Sequence, residues 1–229
     1  MRALIFRRHS VSLDVYEVVE DMPAPTPGPD EVKVRVRYAA LNRLDDWVRR
    51  GWRGLDLQWP HIPCSDFSGT IVEFGEKVTG WRVGQRVAAN PLFWCGDCLA
   101  CQRGEQNRCK RLCLLGENVR GAACEFVCVP SRNLIEIPDG YDLAKAAAAS
   151  LVYVTAWHSL IEAGHLRAGE GVLVVGAAAE SMSLPRRSRS MRGAALCCRK
   201  FEPEGQQALD MGADWVHDRS RDPTGPRRL

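Results

Sequence analysis

A cluster of cysteines between Pro91 and Cys113, in PLFWCGDCLACQRGEQNRCKRLC, constrains this chain more than any other stretch. Cys95, Cys98, Cys101 and Cys109 are separated by two, two and seven residues. Gaps of two turn successive thiolates onto one ion, and the longer return brings in a fourth. Zn²⁺ takes a closed tetrahedron of four sulfurs, at about 2.3 Å, when its role is structural. The run offers no open position for water or substrate, so it reads as a metal-clasped loop rather than a reaction centre. Disulfides or free core thiols are the alternative reading, although spacing this tight is uncommon in an ordinary core.

The 229 residues accommodate one large domain or two modest ones. No apolar run approaches bilayer length, and MRALIFRRHS lacks a signal peptide's apolar core and cleavage site, so a cytoplasmic location is expected. A reducing compartment with bound zinc accounts for the first four of the ten cysteines better than secretion does. The net charge of +3 is unevenly placed: Arg186, Arg187, Arg189, Arg192, Arg199 and Lys200 cluster without an acidic neighbour between Ser181 and Phe201. The rest of the chain is therefore net acidic and carries no nucleic-acid footprint. The expected partner is a small molecule, not a nucleic acid or a membrane.

The early segments read as short strands. In EVKVRVRYAALN, Val32, Val34 and Val36 alternate with Lys33, Arg35 and Arg37, the period of a half-buried strand. PAPTPGPDE before it is too rich in proline for a helix or a central strand. Gly75, Gly80 and Gly84 break residues 68–90 into two apolar runs, as turns between barrel strands do. EFVCVP and NLIEIPDG continue the pattern and make Cys124 and Cys128 core or sheet positions. From about Tyr141, DLAKAAAASLVYVTAWHSLIEAG predicts one or two helices. GVLVVGA then reads as a buried parallel strand feeding a phosphate-binding turn. The expected architecture mixes α/β with all-β: a barrel domain over 1–140, with a zinc lobe at 91–113, and a partial dinucleotide-binding domain over 141–229.

The pieces AALNRLDDWVRRG, HIPCSDFSGTIVEFGEKVTGWRVGQRV, the cysteine lobe, LVYVTAWHSL, GVLVVGA and ALDMGADWV occur in an order that resembles the medium-chain dehydrogenase/reductase superfamily. That group contains zinc-type alcohol dehydrogenases and quinone oxidoreductases. The resemblance implies a GroES-like barrel, an incomplete Rossmann domain, and NAD or NADP bound for hydride transfer. It further implies that Thr155 lies beside the nicotinamide ring and that Gly176 and Ala177 open the cofactor turn. For Thr155 the alternative is a β-branched core residue. A family-like homo-oligomer is implied too, although the part that supports it is missing.

Zinc-dependent relatives place a cysteine at the position of Asn42, a histidine at that of Ser65 and a second cysteine at that of Leu151. None of these is a ligand here, so the usual catalytic zinc is not expected, and structural zinc alone remains. A substitute site from His61, Cys64 and Asp66 is an irregular alternative that would keep zinc-dependent alcohol dehydrogenase activity. Without a metal, hydrogen-bond donors must stabilise oxyanion charge. Asn42 and Asp45 are the candidate catalytic residues, Asn42 at the substrate carbonyl and Asp45 orienting its surroundings. The plainer reading makes Asn42 a cap and Asp45 a first-turn helix acid. For Asp66, structural pairing is expected.

The resemblance fails between about 178 and 204. AAAESMSLPRRSRSMRG supplies no second glycine before Gly193, and neither helical nor strand periodicity is visible from Glu180 to Glu204. Gly176 and Gly212 nevertheless keep a family-like separation. Length kept while identity is lost is what two compensating frameshifts, or strong divergence, would produce. The remaining sequence supplies too few strands for a full doubly wound sheet. The readings carried forward are therefore a medium-chain oxidoreductase acting on a quinone, conjugated carbonyl or small alcohol, and a truncated, inactive zinc-binding barrel.

Overall fold

The computed structural model describes residues 1–167, 169–175, 194–198, 206, 209–210, 213 and 215–218. The chain divides into two compact units, Met1–Leu151 and Val152–Leu229.

The first unit is built on five antiparallel strands. They are β3 (Glu31–Ala40), β4 (Asp66–Phe74), β5 (Arg86–Ala89), β8 (Phe126–Pro130) and β9 (Leu134–Glu136), in the order β8-β3-β4-β5-β9. The alternation in β3 works as the sequence predicts: Val32 and Val34 are buried, and Arg35 and Arg37 face solvent. Val32 and Val34 join Phe67, Ile71, Val87, Val127 and Val129 in one apolar cluster. At about 25 cal/mol per Å² of apolar area removed from water, this cluster is the main stabilising element of the unit. The pair β1 (Ala3–Ile5) and β2 (Glu17–Val19) is antiparallel, and so is the pair β6 (Leu92–Phe93) and β7 (Cys113–Leu114). The β6–β7 pair closes the neck of the cysteine lobe, which holds the short helix α2 (Leu99–Gln102) and a 3-10 turn at Gln106–Arg108. Helix α1 (Arg43–Arg50) follows β3, and α3 (Leu143–Ala147) follows β9. The Asp142 carboxylate caps α3, accepting from the N–H groups of Ala144 and Lys145.

Backbone contact is close where residues 62–64 meet residues 116–123. Gly121 N–H donates to Ile62 O at 2.6 Å, Ala122 N–H to Cys64 O at 2.8 Å and Ala123 N–H to Pro63 O at 3.0 Å. A Cβ on Gly121 would lie 2.2 Å from Pro63 O. Gly121→Ala is therefore expected to lower unfolding stability by roughly 2–3 kcal/mol, the scale of overpacking in a tight interior. Urea denaturation checks this, and an unchanged midpoint would contradict the contact.

Helix α4 (Ser150–Trp157) continues into a π-helical turn, His158–Ala163. In the second unit, β10 (Val172–Val175), β11 (Ala194–Cys198) and β12 (Trp215–Asp218) form a parallel sheet in that order. β11 corrects the expectation that no strand lies between 180 and 204. Its sequence, AALCC, has no β-branched residue, so propensity gave no signal; strand pairing on both edges defines it. Residues 178–193 and 199–204, the rest of the segment read as divergent or frameshifted, lie outside the described residues. So do Gly176 and Ala177. Among the described residues no helix is long and apolar enough to cross a membrane.

Candidate functional site

The β3–β4 register sets Ala40 opposite Asp66, and the chain then turns into α1 through Asn42. Asn42 is the N-cap, with extended backbone, and Asp45 is the third residue of the helix. The Asp45 carboxylate accepts from Asn42 N–H at 2.7 Å and from Cys64 N–H at 2.8 Å. It thus ties the start of α1 to the segment entering β4. Burial raises the Asp45 carboxyl above its ordinary value, and the two N–H groups offset only part of that.

The Asn42 side chain turns to another acid. Its Nδ2 donates to Asp66 Oδ2 at 2.9 Å, and Leu151 N–H donates to Asp66 Oδ1 at 2.8 Å. Asp66 is 1% exposed and Ser65 1% exposed, and the Ser65 Oγ has no partner. The positions Asn42, Ser65 and Leu151 thus gather at one buried carboxylate, through an amide, a sequence neighbour and a backbone N–H. Cys64 has φ 76, a left-handed backbone uncommon outside glycine. Burial, with Asp45 and Asp66 close by, pushes its thiol well above the ordinary range.

His61, Cys64 and Asp66 do not converge as metal ligands. Among the described residues the four lobe cysteines alone form a metal-capable group. His61 is fully buried, with Nε2 3.1 Å from Gly116 O, so that nitrogen carries the proton and donates. Its Nδ1 has no partner. Burial lowers the His61 pKa below 6.5. The unfolded chain therefore binds a proton that the folded chain resists, so stability present above pH 6.5 is lost as the pH falls below it. His61→Gln should flatten this acid limb. The difference between the two proteins should change by up to about 1.4 kcal/mol per pH unit below 6.5, read from unfolding curves between pH 5 and 7.5. Parallel curves would contradict a neutral buried imidazole.

In the lobe, all four sulfurs of Cys95, Cys98, Cys101 and Cys109 lie within 4.8 Å of one another. Cys95 and Cys101 are 3.8 Å apart, Cys98 and Cys109 3.9 Å, and Cys95 and Cys109 3.5 Å. A tetrahedron with Zn–S bonds of about 2.3 Å has edges of about 3.8 Å. Backbone N–H groups aim at the sulfurs: Cys98 N–H at Cys95, and Cys95 N–H and Arg111 N–H at Cys109. Donors so placed favour thiolates: the Cys101 N–H leads in drawing the Cys98 thiol down to about 6, while burial pushes the neighbouring Cys101 thiol up to about 12. Gly96 and Gly104 make the two tight turns at φ 85 and 79. Asn133 Nδ2 donates to Asn90 O and Leu92 O and holds the neck.

Thr155 is exposed on α4, not in a core, and its carbonyl accepts from Ser159 Oγ. Sequence reasoning did not foresee Asp66 as the shared acceptor, because Leu151 is 85 residues away.

Residues 28–139 match the alcohol dehydrogenase GroES-like domain. The chain belongs to the medium-chain dehydrogenase/reductase superfamily, on the side of the zinc-type alcohol dehydrogenases. L-threonine 3-dehydrogenase of Rhizobium etli (strain CIAT 652) is 34% identical over 180 residues, 77% of this chain and 50% of that protein. A solved NAD-dependent alcohol dehydrogenase superposes with a TM-score of 0.87 at 36% identity, over 96% of this chain and 64% of its own. A thermostable alcohol dehydrogenase of Pyrobaculum aerophilum with cobalt and zinc bound gives 0.83 at 29% identity, over 96% and 65%. The chain thus spans about half the length of the curated relatives it matches.

Proposed function

We propose that the chain is an NAD(P)-dependent medium-chain oxidoreductase that moves a hydride between a nicotinamide and a quinone, conjugated carbonyl or small alcohol, with zinc only in the cysteine lobe. The observation that carries this reading is the Asp66 carboxylate. It engages the Asn42 amide and the Leu151 N–H where a metal would need thiolate and imidazole ligands.

In this reading Asp66 fixes the Asn42 amide with Nδ2 inward, since only a donor faces a carboxylate. One N–H goes to Asp66, and the other is available to a substrate oxygen on which negative charge develops. Asp45 holds the Asn42 backbone to that of Cys64 and so is a positioning residue. Cys95, Cys98, Cys101 and Cys109 would hold the structural zinc, which cross-links the lobe. A bound nicotinamide would supply or accept the hydride. The parallel strands β10, β11 and β12 fit such a cofactor, because sheets of this type bind nucleotides at the carboxyl ends of their strands. Thr155, Gly176 and Ala177 are the residues we assign to it. The NAD-dependent and zinc-bound relatives support the same cofactors.

Fluorescence titration of the 229-residue chain with NADH and NADPH tests the proposal. Saturable binding of either is expected. No saturation would favour the inactive zinc-binding domain instead.

A further inference from the structure

The first unit holds a cavity of about 290 Å³ that neither Asn42, Asp66 nor any lobe cysteine lines. It lies between the sheet core, which supplies Leu115 and Val127, and the smaller cluster that supplies Met22 and Ile62. Phe93 and Val119 extend the same apolar wall. Small-molecule pockets begin at about 300 Å³, and one of about 150 Å³ already takes a benzene ring.

A fixed guanidinium stands on this wall. Arg120 Nε donates to Pro60 O at 2.9 Å, and its Nη2 donates to Trp59 O at 3.3 Å. The next residue, Gly121, donates its N–H to Ile62 O at 2.6 Å, so backbone and side chain grip the same segment. Those bonds use two of the N–H groups on the Arg120 fork. Among the described residues no carboxylate pairs with it. Glu31, the other charged side chain on the wall, is engaged by its own turn, accepting from Gly28 N–H at 2.9 Å. Gln58 is neutral, and the Met1 amino group donates to Met22 O at 2.6 Å.

We infer that this cavity binds an apolar monocarboxylate of roughly eight carbons, with its carboxylate on Arg120 and its chain along the apolar wall. A guanidinium held in place by two carbonyls offers its remaining N–H groups in parallel, the geometry that two carboxylate oxygens accept. An alcohol brings no charge to that fork, and an amine is repelled by it. A second charged or hydroxylated group on the ligand would face Met22, Ile62 and Val127 without a partner. Met22 is unbranched and adapts its shape to a chain. The site is independent of the hydride chemistry proposed above, because it shares no residue with it.

Isothermal titration calorimetry of octanoate into the full chain tests this. Saturable binding of one octanoate per chain is expected, with octan-1-ol at least about 10-fold weaker and octylamine not binding. In Arg120→Gln, octanoate should weaken by about the same factor while octan-1-ol is unchanged, a pattern that a general loss of packing does not produce. Arg82→Gln removes an exposed arginine that does not line the cavity, and should bind octanoate as the wild type does. Absence of saturable octanoate binding, equal affinity for octanoate and octan-1-ol, or equal losses in Arg120→Gln and Arg82→Gln would overturn the inference. Competition between NADH and octanoate would also overturn it, by placing the acid in a nucleotide site. The comparison of acid with alcohol on the wild type decides the matter even if Arg120→Gln does not fold.

Discussion

Asp66→Ala is expected to lower unfolding stability by about 2–4 kcal/mol, because the Asn42 amide and the Leu151 N–H lose one shared acceptor inside the protein. Asp66→Asn should cost about half as much. Its Oδ1 still accepts from Leu151, but an amide N–H₂ now faces Asn42. Urea unfolding at pH 7 with an unchanged m-value would register both losses as midpoint shifts. The same alanine variant frees the Asn42 side chain to rotate, so any carbonyl reduction should fall in kcat more than it rises in KM. Equal stability of wild type and Asp66→Ala would mean that the carboxylate is not the hub of this site.

The second large effect concerns the lobe. Cys109→Ser removes one of four sulfurs that otherwise sit on a tetrahedron's edges. Structural zinc contributes about 10–16 kcal/mol of apparent binding free energy in small zinc-dependent folds, and that energy is folding energy for the segment it clasps. Zinc content should therefore fall close to zero, and the segment from Cys95 to Arg111 should become open to proteolysis. The sheet should survive, because Val32, Val34, Phe67, Ile71 and Val87 form its core without any lobe cysteine. Dialysis of the wild type against a strong chelator should reproduce the pattern, and re-addition of zinc should reverse it. Protection lost on treatment with a thiol reductant in place of a chelator would point to disulfides.

What the sequence disclosed was local. Four cysteines at intervals of two, two and seven define their cluster without tertiary information, since the turns between them are short enough to fix the geometry. The valines of β3 announce their buried face through a period of two. What it withheld was long-range. Asn42 and Asp66 meet because a register with two irregularities sets Ala40 beside Asp66, and no residue pattern encodes that register. The Leu151 contribution is a backbone N–H, which any residue other than proline supplies, so side-chain identity carries no trace of it. Asn42 and Asp45 could be read equally well as caps or as site residues, and the geometry explains why: both take part in capping α1, while the Asn42 amide also donates to the buried Asp66.

Metal content of the purified 229-residue chain is the most direct test of an oxidoreductase site that works through hydrogen bonds around Asp66 while zinc serves only the lobe. Atomic emission on protein exhaustively dialysed against metal-free buffer should find one zinc per chain, and none in Cys109→Ser. Two zinc ions per wild-type chain, with one retained in Cys109→Ser, would place a metal outside the lobe and contradict the account.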